Sequence, residues 1–210
     1  EPDGGMGNLI VAVVGVILTM AIAFAATMVF YKEEEPAAAG AQCPAAAQGK
    51  REGAQGAITK RFEIASPMAG KVLKLETIHD DAFASGVLGK GAAILPERGE
   101  VFAPADGVVS TLFPTLHAIG METDDGAELL IHIGLDTVQL EGKGFEAMVS
   151  QGERVKQGQL LVKFDMDYIT SQGFCLETPV LVVNSDDYLE VAESKEEQML
   201  PGIPLLTVVA

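Results

Sequence analysis

Two of the chain's three histidines stand in "HAIGMETDDGAELLIHIGLD", His117 and His132, with the acidic turn "TDDG" between them. If the turn closes a hairpin with a two-residue loop, Asp124-Asp125, then Thr123 faces Gly126 and His117 falls directly opposite His132. In that register the two imidazoles leave one face of the sheet with Cβ atoms about 4.5–5.5 Å apart. A three-residue loop, Asp124-Asp125-Gly126, shifts the register by one and leaves the pair close but diagonal.

Adjacent imidazoles admit three readings. Each can be a satisfied core or rim residue. They can bind a metal, but zinc needs three or four protein ligands or an open position, and the third histidine, His79, lies far off in "ETIHDDAF"; even with Asp136 the set is incomplete. Or one nitrogen can take a phosphoryl group while the neighbouring neutral imidazole orients it. Thr115, two residues before His117, offers a hydroxyl on the same side, and Gly120 and Gly134 would leave room for an incoming group. The chain has no Walker loop, no kinase-like motif and no basic cluster near the pair, so a nucleotide triphosphate is a poor donor. The phosphoryl group would arrive already activated, on a partner that brings its own positive charge.

The rest of the chain must position this pair. From Phe62 onward, runs such as "GKVLKL", "AELLIHIG", "GQLLVKF" and "TPVLVVN" alternate with Gly, Pro and Asp turns. Turn signals recur at the spacing of short strands, which predicts an all-β sandwich or barrel over residues 61–210. A short helix fits only around Met166–Gln172 or near Asp187–Leu189. "SPMAGKVLKL" and "APADGVVSTL" repeat small-Pro-x-x-Gly-x-Val at a spacing of 37, which predicts a duplicated β unit with each Gly in a positive-φ turn. "QGERVKQGQLL" reads as a further hairpin turning at Gly158.

Ahead of the domain, after a flank at residues 1–8, Leu9 to Tyr31 carries no charge. As a helix it would be about 35 Å long, enough to cross a bilayer. The acidic stretch before it does not fit a signal peptide. Small residues Ala12, Gly15, Thr19, Ala23 and Ala26 recur along it at helical spacing, which suits either close helix packing or a simple Ala-rich anchor. Basic residues follow rather than precede it, so the domain after it is expected in the cytoplasm. Residues 32–60 have almost no large apolar side chain and read as a flexible tether. The net charge of −16, from 30 acidic and 14 basic residues, excludes nucleic-acid binding and favours a basic protein partner. Cys43 and Cys175 stand in unlike contexts and suggest neither a disulfide framework nor a metal knuckle.

The stretches "SPMAGKVLKLETIHDDAFASGVLGKGAAILP", "APADGVVSTLFPTLHAIG", "LLIHIGLDTVQLEGKGFE", "GERVKQGQLLVKFD" and "TPVLVVN", in this order, resemble the glucose-type enzyme IIA domain of the bacterial phosphoenolpyruvate-dependent sugar phosphotransferase system. The resemblance implies an antiparallel β sandwich. It implies that His132 is phosphorylated through Nε2 by the carrier HPr and passes the group to a cysteine of a IIB domain. His117 would be the supporting imidazole and Thr115 its hydrogen-bond partner. Asp136, Val138, Phe113 and Phe83 would lie on or near the docking face. No metal, nucleotide or other cofactor is implied. Residues 9–31 would be the last helix of a IIC membrane domain, placing the protein in the cell membrane. The direct passage from membrane segment to IIA domain, with "FASGVLGKG", resembles the β-glucoside type, ordered IIB, IIC, IIA, rather than the N-acetylglucosamine type. No IIB cysteine motif is present, so the acceptor would lie upstream or on another chain. His79 departs from the proline common in the family.

Two rivals fit less well. A zinc endopeptidase of the lysostaphin type needs a His-x-His pair, which is missing. A biotin or lipoyl carrier needs a modifiable Lys at a hairpin tip, for which "SQGERVKQG" is a weak match.

Overall fold

The computed structural model of the chain describes residues 60–210. The expected membrane helix at 9–31 and nearly all of the tether at 32–60 lie outside the described residues. Among the described residues no helix is long and apolar enough to cross a membrane.

The domain is built of antiparallel strands. Eight form one sheet, in spatial order β13 (Gln198–Met199), β2 (Gly70–Lys74), β3 (Lys90–Pro96), β11 (Thr178–Val182), β7 (Glu128–His132), β6 (Ala118–Thr123), β5 (Gly107–Leu112) and β9 (Arg154–Val155). Two smaller sheets join β1 (Arg61–Ala65), β14 (Pro204–Val209) and β12 (Glu190–Glu193), and β4 (Glu100–Phe102), β10 (Leu160–Phe164) and β8 (Phe145–Ala147). All three sheets contribute to one apolar core, with Ile64 and Leu206 from the first small sheet, Val101 and Leu161 from the second, and Ile94, Ile119, Ile131 and Val180 from the large one.

The centre of the large sheet is buried on both faces. Strict alternation sends Val180 and Val182 to the main core and Leu181 to the other side, where Ala93 and Leu181 are covered by Leu75, Ile78 and Phe83. That is why β11, "TPVLV", is apolar throughout except at its first residue. The cover is a 3₁₀ turn, Leu75–Thr77, followed by a one-turn helix, α1 (Asp81–Ala84). This helix falls in a stretch whose sequence reads as a loop. The anticipated helix near Met166 is present as α2 (Met166–Ser171), and the second candidate is a 3₁₀ turn at Ser185–Asp187.

The duplication is visible in the hydrogen bonding. Ala65 N–H bonds Pro104 O at 3.0 Å while Phe102 N–H bonds Pro67 O at 2.7 Å, the same contact exchanged between the two Pro-x-x-Gly copies. Each copy also embraces a glycine turn. Gly202 N–H donates to Ser66 O and Gly158 N–H to Ala103 O, with Ser66 N–H and Ala103 N–H donating back to Ile203 O and Gln159 O. The repeated glycines Gly70 and Gly107 do not have positive φ, contrary to the turn expected of them. They open β2 and β5, where a Cβ would stand 2.2 Å from Leu95 O and Glu122 O respectively. Close approach of the partner strand, not turn geometry, requires glycine at both. "QGERVKQGQLL" is not a hairpin either. Gly158 does turn with φ +82, but β9 pairs with β5 and β10 with β4 and β8, in different sheets.

Candidate functional site

The β6–β7 connection takes the three-residue form. Thr123 and Ala127 bond each other, Gly126 N–H donates to Thr123 O, and Gly126 has φ +94. Ala118 therefore faces His132, and His117 lies beyond the strand end, its carbonyl accepting from Ile133 N–H at 2.7 Å. The directly opposed register is thus corrected by one residue. Such a shift reverses the faces of an unbroken strand, and would turn His117 toward the core, away from His132.

The chain is not an unbroken strand there. Leu116 N–H closes a turn on Phe113 O, and Leu116 itself sits at φ +57, a conformation that costs a side chain of this kind on the order of 1–2 kcal/mol. His132 is the last residue of β7. Both rings consequently meet at the sheet end, with centroids 5.0 Å apart and planes at 78°.

Each ring is held at Nδ1. Thr115 Oγ1 lies 2.5 Å from His117 Nδ1, and Gly134 O lies 2.7 Å from His132 Nδ1. A carbonyl only accepts, so His132 Nδ1 carries the hydrogen and Nε2 is left with its lone pair. The Gly134 carbonyl is aimed by the backbone after β7. Gly134 has φ +71, and a Cβ there would be 2.7 Å from both Cys175 O and Thr137 Cγ2. Gly134 is required by this packing, and Gly120 has Ser110 and Thr111 as its near neighbours. The sequence had suggested room for an incoming group at both glycines; at Gly134 the space a Cβ would take is bounded by Cys175 O and Thr137 Cγ2.

His117 is 6% exposed, and burial, with His132 beside it, pushes its pKa down to about 4. Burial also lowers the pKa of His132, opposed by the Gly134 carbonyl and by the charges of Asp80 and Asp136. Both imidazoles are neutral near pH 7. The Phe83 ring lies 5.0 Å from that of His132, and the Phe113 ring 5.4 Å from that of His117. Phe83 is buried, so it supports the site from within, whereas Phe113, Asp136 and Val138 are exposed at the rim. Sequence reasoning missed Asp80. Its carboxylate caps α1 by accepting from Ala82 and Phe83 N–H, and its charge acts on His132. The available signal was an Asp ahead of "DAFA", an N-cap pattern.

His79 bonds Glu177 rather than either ring of the pair. Cys175 is a free, half-buried thiol, and Cys43 lies outside the described residues. Among the described residues no three His, Cys, Asp or Glu side chains are grouped to hold a metal ion.

Residues 62–188 match the family described as phosphoenolpyruvate-dependent sugar phosphotransferase system, EIIA 1. The chain belongs to this EIIA family. It is 41% identical to the β-glucoside-specific EIIBCA component of Dickeya chrysanthemi over 99% of its own length and 33% of that protein. It is 44% identical to the glucose-specific EIIA component of Staphylococcus epidermidis over 61% of its length and 78% of that protein. Its fold matches glucose permease IIA from Mycoplasma capricolum with a TM-score of 0.63 at 33% identity, covering 70% of this chain and 96% of the other. The chain spans between 23% and 33% of the EIIBCA components it matches.

Proposed function

We propose that this EIIA chain carries a phosphoryl group on His132 Nε2, taken from the phosphohistidine of HPr and passed to a IIB cysteine, to drive sugar uptake. In the first step the Nε2 lone pair attacks phosphorus, an N–P bond forms, and the donor's P–N bond breaks with its electron pair returning to the donor imidazole. In the second, a thiolate attacks phosphorus and the pair returns to His132 Nε2. The observation that carries this reading is the bond from His132 Nδ1–H to Gly134 O, which directs the nucleophilic lone pair outward from a ring kept neutral by burial.

His117 is the supporting imidazole. With Thr115 donating to its Nδ1, the His117 N–H stands on Nε2, on a ring 5.0 Å from that of His132, and can donate to a phosphoryl oxygen. Phe113, Val138 and Asp136 form the exposed rim on which a basic, partly apolar partner docks, with Phe83 supporting the site from beneath. The organisation of the β-glucoside EIIBCA relatives, one of which aligns over nearly the whole chain, supports residues 9–31 as the last IIC helix, residues 32–60 as a linker, residues 61–210 as the EIIA domain in the cytoplasm, and a β-glucoside as the transported sugar. Incubating the 210-residue chain with phosphoenolpyruvate, enzyme I and HPr tests the reading. One acid-labile phosphoryl group gained, and lost in His132→Ala, supports it; no gain while HPr becomes phosphorylated refutes it.

A further inference from the structure

Glu177, immediately before β11, is 8% exposed, a poor place for a carboxylate unless both oxygens find donors. Among the described residues its oxygens have one partner residue, 98 positions away. His79 N–H donates to Oε2 at 3.0 Å, and His79 Nδ1 lies 2.9 Å from Oε1. The His79 side chain is 81% exposed, so the ring is not there to fill a core. What it does is tie the chain just ahead of Asp80 to the central strand of the large sheet.

That tie has a consequence at the site. α1 is a single turn, too short to persist by its own hydrogen bonds. Its entry is fixed by the Asp80 cap and by the residue before it, which is His79. The same turn lays the Phe83 ring 5.0 Å from that of His132, and brings the Asp80 charge to bear on it. A carboxylate just ahead of β11 and the acceptor histidine at the end of the neighbouring strand β7 are thus joined through the segment from His79 to Phe83.

We propose that Glu177 is a positioning residue for phosphoryl transfer, gripping the His79 backbone and ring so that α1 holds Phe83 and Asp80 against His132. This rests on His132 being the phosphoryl acceptor. The 210-residue chain has three histidines, so ¹⁵N-histidine labelling resolves His132 directly. In Glu177→Ala, which removes the grip on both the His79 N–H and its ring, the His132 ring protons shift as the Phe83 ring current weakens. The maximal rate of acceptance from phospho-HPr falls about tenfold, the scale of a sub-ångström misplacement, at unchanged KM for the donor. His79→Ala, which keeps the N–H, falls between Glu177→Ala and the parent. Should Glu177→Ala fail to fold, His79→Ala alters only an exposed ring and decides the matter by the same readouts. Lower thermal stability with unmoved His132 signals and an unchanged maximal rate would overturn the proposal. A parent chain that takes no phosphate on His132 would instead refute the proposed function, and the His132 shifts would still report whether the grip positions the ring.

Discussion

The Nδ1–H of His132 is donated to the carbonyl of Gly134 two residues on, at 2.7 Å, and this one bond leaves the ring's lone pair on Nε2. The carbonyl is aimed by a backbone that only glycine fits. Gly134→Ala would force φ +71 on a residue with a Cβ and press that Cβ to 2.7 Å from Cys175 O. The expected outcome is a loss of about 1–3 kcal/mol in a denaturant melt. Phosphate acceptance should fall with it, because the released ring samples the other tautomer. A normal acceptance rate in a destabilised Gly134→Ala would mean the bond does not govern the chemistry.

Thr115→Val removes the hydroxyl at near-constant volume and leaves the buried Nδ1 of His117 without its partner. Stability should fall by about 1–3 kcal/mol. The transfer to the IIB cysteine should slow more than acceptance from HPr, as it should in His117→Gln, while Thr115→Ser should behave like the parent. Rapid-quench measurement of each half-reaction separates the two.

Protonation of His117 gives the fold a pH dependence of known sign. The free side chain titrates near 6.5 and the folded one at about 4, so between these values the unfolded chain binds more protons. Stability is therefore highest above pH 6.5 and declines toward pH 4, by about 3 kcal/mol for this group. His117→Gln should flatten the decline in unfolding free energy between these pH values relative to the parent; parallel curves would show that His117 is not the group responsible.

Asp80→Asn separates charge from capping, since Asn caps a helix as well as Asp. Losing the carboxylate should lower the His132 titration midpoint further at little cost in stability. Asp80→Ala should additionally cost about 1 kcal/mol. NMR titration of the three histidines measures the first effect and thermal melts the second.

The parts of this molecule legible in its sequence are those set by local pattern. The strands, the "TDDG" hairpin and its two histidines, the helix at Met166 and the repeated Pro-x-x-Gly unit all follow from residues close together in the chain. The register did not, because two- and three-residue loops suit "TDDG" alike, and the choice shows only in the Thr123–Ala127 bonds. The rings meet despite the shifted register because Leu116 adopts a backbone that its side chain gives no reason to expect. α1 is too short for apolar periodicity and is announced only by its cap. Gly70 and Gly107 are glycine because of carbonyls on strands that pair with them, and β9 and β10 part because their partners lie far away in sequence.

The proposal that His132 Nε2 is the phosphorylated atom is tested most directly by labelling the chain with ¹⁵N-histidine, phosphorylating it from phosphoenolpyruvate through enzyme I and HPr, and recording ³¹P–¹⁵N coupling. The predicted result is coupling of one phosphorus to Nε2 of His132, with Nδ1 of the same ring still protonated. Phosphorus coupled to His117, to His79 or to Nδ1 of His132 would contradict it.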